Sequence, residues 1–202
     1  MHRFLLLFVI NLVLKGEIVD RVAIVVGQQV ITESQINEEV RVTAFLNRQS
    51  VQAGEENRRS AADRLVQQLL VKREMDLGNY PAPTGEEVQK YYDQLSQAFG
   101  GSDKFRRAIA NYQLTSEMLK QHLAFQLTAL RFIEYRFRPD FDVSEEDIAA
   151  YRRRHSTASV EELSHDAVRE SLLEERTDQI LAAWLEESRK QVNIIFLDKA
   201  LQ

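Results

Sequence analysis

Four histidines, His2, His122, His155 and His165, are the residues best suited to catalysis or metal binding, and no cysteine accompanies them. An imidazole acts as a base or a ligand only with partners at defined spacing. His122 falls among apolar positions, with no second histidine or acid at metal-ligand spacing; His155 and His165 flank a polar stretch. HExxH, GxSxG, P-loop and GxGxxG patterns are absent. The acidic pairs Glu86 with Glu87, Glu145 with Glu146 and Glu174 with Glu175 start or line helical segments. Two of these pairs sit in first turns, where the helix dipole favours negative charge. The residues therefore predict no enzyme, no metal and no cofactor. Without cysteine there is no disulfide, thiolate metal site or thiol nucleophile.

Composition narrows the class further. The 202 residues hold 7 Gly and 3 Pro, where average usage would give about 14 and about 10. So few chain-breakers argue against an all-β sandwich or barrel. Hydrophobic residues at 44% can build a core, while 28% charged residues and a mean hydropathy of -0.35 exclude a multi-span membrane protein. A net charge of -5 disfavours a nucleic-acid partner, which usually faces a basic surface. The densest basic run, Arg152 to His155, reads as a solvated helix end.

The elements follow from periodicity. Val19 to Thr32 is rich in β-formers, with Gly27 and Gln28 as a turn, and predicts a hairpin. Val192 to Leu197 is the other strand-like run, so the two chain ends should meet in one small sheet. Between them the spacing predicts helices: one opened by the capping box Thr32 to Gln35, a second from Ser60 to Gly78, and a third opened by the box Thr84 to Glu87 and stopped at Gly100 and Gly101. A short helix carries Phe105 and Ile109. A long one, capped by Thr115 and ended by Pro139, extends roughly 35 Å. Ser144 opens another, and a final helix carries Val168, Leu172, Ile180, Trp184 and Leu185. The expected fold is mainly α, a multi-helix module with a small sheet.

The helix from 116 to 138 has two apolar sides. Leu119, Leu123, Leu127, Leu130, Ile133 and Phe137 share a broad face, whereas Met118, Phe125, Ala129 and Phe132 form a second stripe. Such a helix lies between layers, or turns one side to the core and the other to a partner. Met118, Phe125 and Phe132 are thus candidate polypeptide-binding residues; the alternative is plain packing against a neighbouring helix. If the stripe is a binding surface, Phe125→Ala with Phe132→Ala should weaken binding and barely change the thermal midpoint.

At the N-terminus, His2 and Arg3 precede an apolar run from Phe4 to Leu14, interrupted by Asn11. It is shorter than the about 20 residues of a membrane span and fits a secretory signal. Residues 1–16 are therefore expected to be a signal peptide, with 17–202 exported to the periplasm; an uncleaved N-terminus would instead tether the chain to the membrane.

The stretch from Val19 to Ile36 resembles the opening of mature SurA-family periplasmic chaperones. Arg64 to Glu74, Thr84 to Val88 with Phe99, Gly100 and Phe105, Leu130 to Pro139, and Val143 to Ile148 resemble the family's following segments. Glu175, Arg176, Trp184 to Arg189 and Val192 to Phe196 resemble its C-terminal helix and strand. The resemblance implies a chaperone module with an N-terminal part over 19–155 and a C-terminal helix and strand over 160–198. It also implies unfolded polypeptides, outer-membrane proteins among them, as partners. The family usually carries one or two parvulin-type prolyl isomerase domains between these parts. Here only about Ser156 to His165 fills that place, too short for a domain. The expected function is an ATP-independent holdase. The alternatives are an isomerase-family protein with residual or lost activity, and a structural module that docks on a partner or self-dimerises.

Overall fold

A computed structural model describes residues 20–52, 54–137, 143–155 and 164–202. The expected signal peptide, Pro139 and the stretch from Ser156 to Ser159 lie outside the described residues. The chain is mainly helical, with seven α-helices among the described residues and one three-stranded antiparallel sheet in the order β2-β1-β3.

Strands β1 (Val22–Val26) and β2 (Gln29–Thr32) form the hairpin. Gly27 takes φ +60 at the first central turn position, the conformation a type II′ turn needs there. The pairing register of β1 against β2 shifts between Val22 and Ile24. Ala23 and Ile24 are consequently both fully buried, where a regular strand would alternate. The Ala23 carbonyl accepts from the Leu197 and Asp198 amides at 2.8 and 3.2 Å. β3 (Ile194–Phe196) pairs with the other side of β1, with Ile24 opposite Phe196. The chain ends do meet in one sheet.

The capping boxes form as the sequence requires. Thr32 caps α1 (Glu33–Leu46) with Gln35 reciprocating, Thr84 caps α3 (Gly85–Ala98) with Glu87, and Ser144 caps α6 (Glu145–Arg154) with Asp147. α2 (Glu55–Leu77) begins earlier than Ser60, because Glu55 and Glu56 complement the dipole of its first turn. The added turn also brings Arg58 to Asp198 at 3.3 Å and Arg59 to the Ala200 carbonyl at 2.7 Å, fastening it to the C-terminal 3-10 turn Lys199–Leu201. α4 (Ser102–Asn111) is short, α5 (Ser116–Arg136) is long, and α7 (His165–Gln191) returns the chain to the sheet.

Apolar side chains gather in four clusters. The sheet, α1 and α2 enclose Ile24, Ile36, Val66 and Leu201. An aromatic cluster of Phe45, Phe99, Phe105 and Tyr112 joins α1, α3 and α4 to the first half of α5; Phe45 stacks on Phe99 at 4.7 Å. Phe132, Phe137 and Trp184 join the second half of α5 to α2 and α7, with Phe132 and Trp184 4.7 Å apart. Val143, Ile148, Val168 and Leu172 hold α6 on α7, and Arg176 pairs with Asp147 at 2.6 Å.

Burial therefore switches sides along α5. Its N-terminal half buries Leu119 and Leu123, and its C-terminal half buries Phe132, while Leu130 is 54% exposed. The broad face expected to hold Leu130 and Leu123 together is split, because different helices cover the two halves.

Candidate functional site

α1, α2, α5 and α7 do not close completely on one another. Between them lies a cleft of about 410 Å³. Its apolar wall is Leu46, Val71, Phe125, Ala129, Leu181 and Leu185, and its polar lining includes Gln67, Gln68 and Gln126. A smaller hollow of about 200 Å³ shares Phe125 and His122 with it and is lined by Met118 as well. A larger hollow of about 590 Å³, beside the connection from α1 to α2, is mostly polar, with Gln49, Ser50, Gln52 and Asn57. The 410 Å³ cleft combines size with an apolar wall, as binding pockets do.

The expected binding residues divide accordingly. Met118 and Phe125 are half-buried and line these hollows. Phe132 does not belong with them. Its ring is fully buried against Trp184 and Phe137, so it is a core residue and not part of a binding surface. The helical period put it on the stripe of Phe125, but α7 covers that end of the stripe.

A charged network forms part of the cleft lining. Glu39 on α1 is 5% exposed at its side chain. Arg64 Nε on α2 donates to its Oε1 at 2.8 Å, and Arg64 Nη2 donates to the Thr43 hydroxyl at 3.0 Å. His122 on α5 approaches Oε2 through Nδ1 at 3.2 Å. Burial raises the Glu39 pKa, but hydrogen bonds and charge from His122 and Arg64 outweigh it and hold the carboxyl below its usual range. An ionised carboxylate only accepts, so Nδ1 is the donor in this contact. His122 Nε2 makes no hydrogen bond among the described residues, and no hydroxyl or thiol is aligned on it as a nucleophile would be. The network clamps three helices together and fixes the wall of the cleft.

Glu39 and Arg64 were not singled out from the sequence. The signal was there: Glu39 is three residues after Ile36 and four before Thr43, on the apolar face of its own helix. A charge in such a position needs a partner. The partners come from α2 and α5, beyond the reach of local spacing.

Elsewhere, His165 pairs with Glu145 at 2.8 Å on the surface, and the exposed His155 lies 3.9 Å from the half-buried Glu175. Among the described residues no group of three His, Cys, Asp or Glu side chains is placed to hold a metal ion, and no helix is long and apolar enough to cross a membrane. No family model matches the chain, and no curated protein matches it significantly.

Proposed function

We propose that this chain is an ATP-independent chaperone of the cell envelope. It holds unfolded outer-membrane or secreted polypeptides in the cleft between α1, α2, α5 and α7. The observation that carries this reading is the uncovered apolar wall, to which half-buried Phe125 contributes. Burying client apolar surface there needs no fixed side-chain pattern, which suits many clients. The resemblance of the opening hairpin and the C-terminal return to SurA-family chaperones supports it from the sequence side. Release then follows equilibrium affinity, and export to the periplasm places the chain where such clients pass.

The test is aggregation of a denatured outer-membrane β-barrel diluted into buffer with residues 17–202. Suppression at near-stoichiometric protein without ATP, weakened by Phe125→Ala, is the expected result. Unimpeded aggregation beside a well-folded sample would end the proposal.

A second reading, self-association, has its own support. Val30 and Ile195 face Val25 from either side in one row across the sheet, and they are 48% and 44% exposed. Such a row suits a partner surface, and the mass in solution tests it directly.

A further inference from the structure

The cleft holds more than an apolar wall. Gln67 and Gln68 project into it from α2 and Gln126 from α5. Gln67 and Gln68 are half-buried and Gln126 is exposed, and none of the three side-chain amides has a hydrogen-bond partner among the described residues. Each primary amide offers one carbonyl acceptor and an NH2 donor, the same pair of functions as a peptide unit.

Resting on the reading of this cleft as a polypeptide site, we propose that Gln67, Gln68 and Gln126 hydrogen-bond the main chain of an extended client segment. Recognition is then of backbone rather than of side-chain charge. The charge balance agrees. The titratable groups lining the cleft are Glu39, Arg64 and His122, and they are already engaged with one another. A charged ligand finds no unpaired counter-charge, whereas a neutral peptide chain finds free amides on two opposing helices. A purely apolar occupant such as a lipid tail would strip water from these amides and return no hydrogen bond, a net loss. Satisfying backbone groups through flexible glutamines keeps the site indifferent to client sequence, as a promiscuous binder requires.

The test uses the full chain and fluorescence anisotropy. The probe is a short labelled, unstructured peptide of Ala, Ser, Thr and Val, compared with the same peptide N-methylated at alternate amides. N-methylation should weaken binding by about tenfold, the loss of one to two hydrogen bonds. Gln67→Met with Gln126→Met, which keeps side-chain length and adds apolar surface, should weaken the unmodified peptide more than the methylated one, which has already lost alternate N–H donors. Equal binding of both peptides, or tighter binding by the methionine variant, would show apolar burial alone and overturn the backbone assignment while leaving the holdase reading intact. Failure of the native chain to bind either peptide, or displacement of the peptide by a fatty acid, would overturn both. The thermal midpoint of the variant, expected to match the native chain, confirms that any loss is not unfolding.

Discussion

His122 on α5 lies 3.2 Å from Glu39 on α1, and the other oxygen of that carboxylate takes the Arg64 side chain of α2 at 2.8 Å. One buried acid thus joins three helices at the edge of the proposed client cleft. A buried charge with two partners contributes little net stability against an apolar isostere, but removing one member leaves the others uncompensated. The arrangement fixes the relative placement of the helices, including the wall that carries Phe125.

Glu39→Ala should therefore destabilise the fold by about 3 kcal/mol, the low end for a broken buried pair because Arg64, partly exposed, can turn to water. Urea unfolding monitored by circular dichroism measures it. A change under about 0.5 kcal/mol, the scale of surface substitutions, would mean that the network does not hold the three helices together.

Acid should expose the same group. The folded Glu39 carboxyl titrates below its ordinary value of 4.5, so its contribution is complete above that pH and is lost as pH falls through the folded value. Glu87 and Asp147, lowered chiefly by their cap bonds to Thr84 and Ser144, act with the same sign. Glu38, pushed up by burial, opposes them. Glu39→Gln should show a shallower loss of unfolding free energy than the native chain below the ordinary value. Parallel curves would contradict the assignment.

Phe125 and Phe132 should separate. Phe132→Ala opens a cavity between α5 and α7 and should cost about 3–5 kcal/mol. Phe125→Ala, half-buried in an open cleft, should cost under about 1.5 kcal/mol and lower client affinity. Paired melting and binding measurements decide; equal stability losses would return both rings to the core.

Leu201, next to the last residue, is 5% exposed and packs with Ile24 and Val66. Leu201→Ala should cost about 2 kcal/mol, the lower bound for such a truncation, since the chain end can partly collapse into the gap. A midpoint unchanged within error would mean that the terminus frays.

Much of the architecture was legible in the sequence because local chemistry specifies it. Thr32 with Gln35, Thr84 with Glu87 and Ser144 with Asp147 mark helix starts by hydrogen bonds that span three residues. The apolar runs at both chain ends could complete a sheet only with each other. What could not be read depended on which helix covers which face. Phe125 and Phe132 are equivalent on a helical wheel, and α7 makes one core and leaves the other at the cleft. Glu39 was hidden for the same reason, since its partners come from two other helices. The early start of α2 was masked by Gly54, which serves as its N-cap without a side-chain bond.

β1 is bracketed by its immediate neighbour β2 and by β3, which is formed almost at the end of the chain. Closing that pair joins Val26 to Ile194 across most of the described residues, and such closure is slow. The hairpin keeps one flank unpaired until Ile194–Phe196 have been made and reach it. During that interval β1 presents an open strand edge, a template on which another chain can pair, so maturation is a race between closing on itself and pairing with a neighbour.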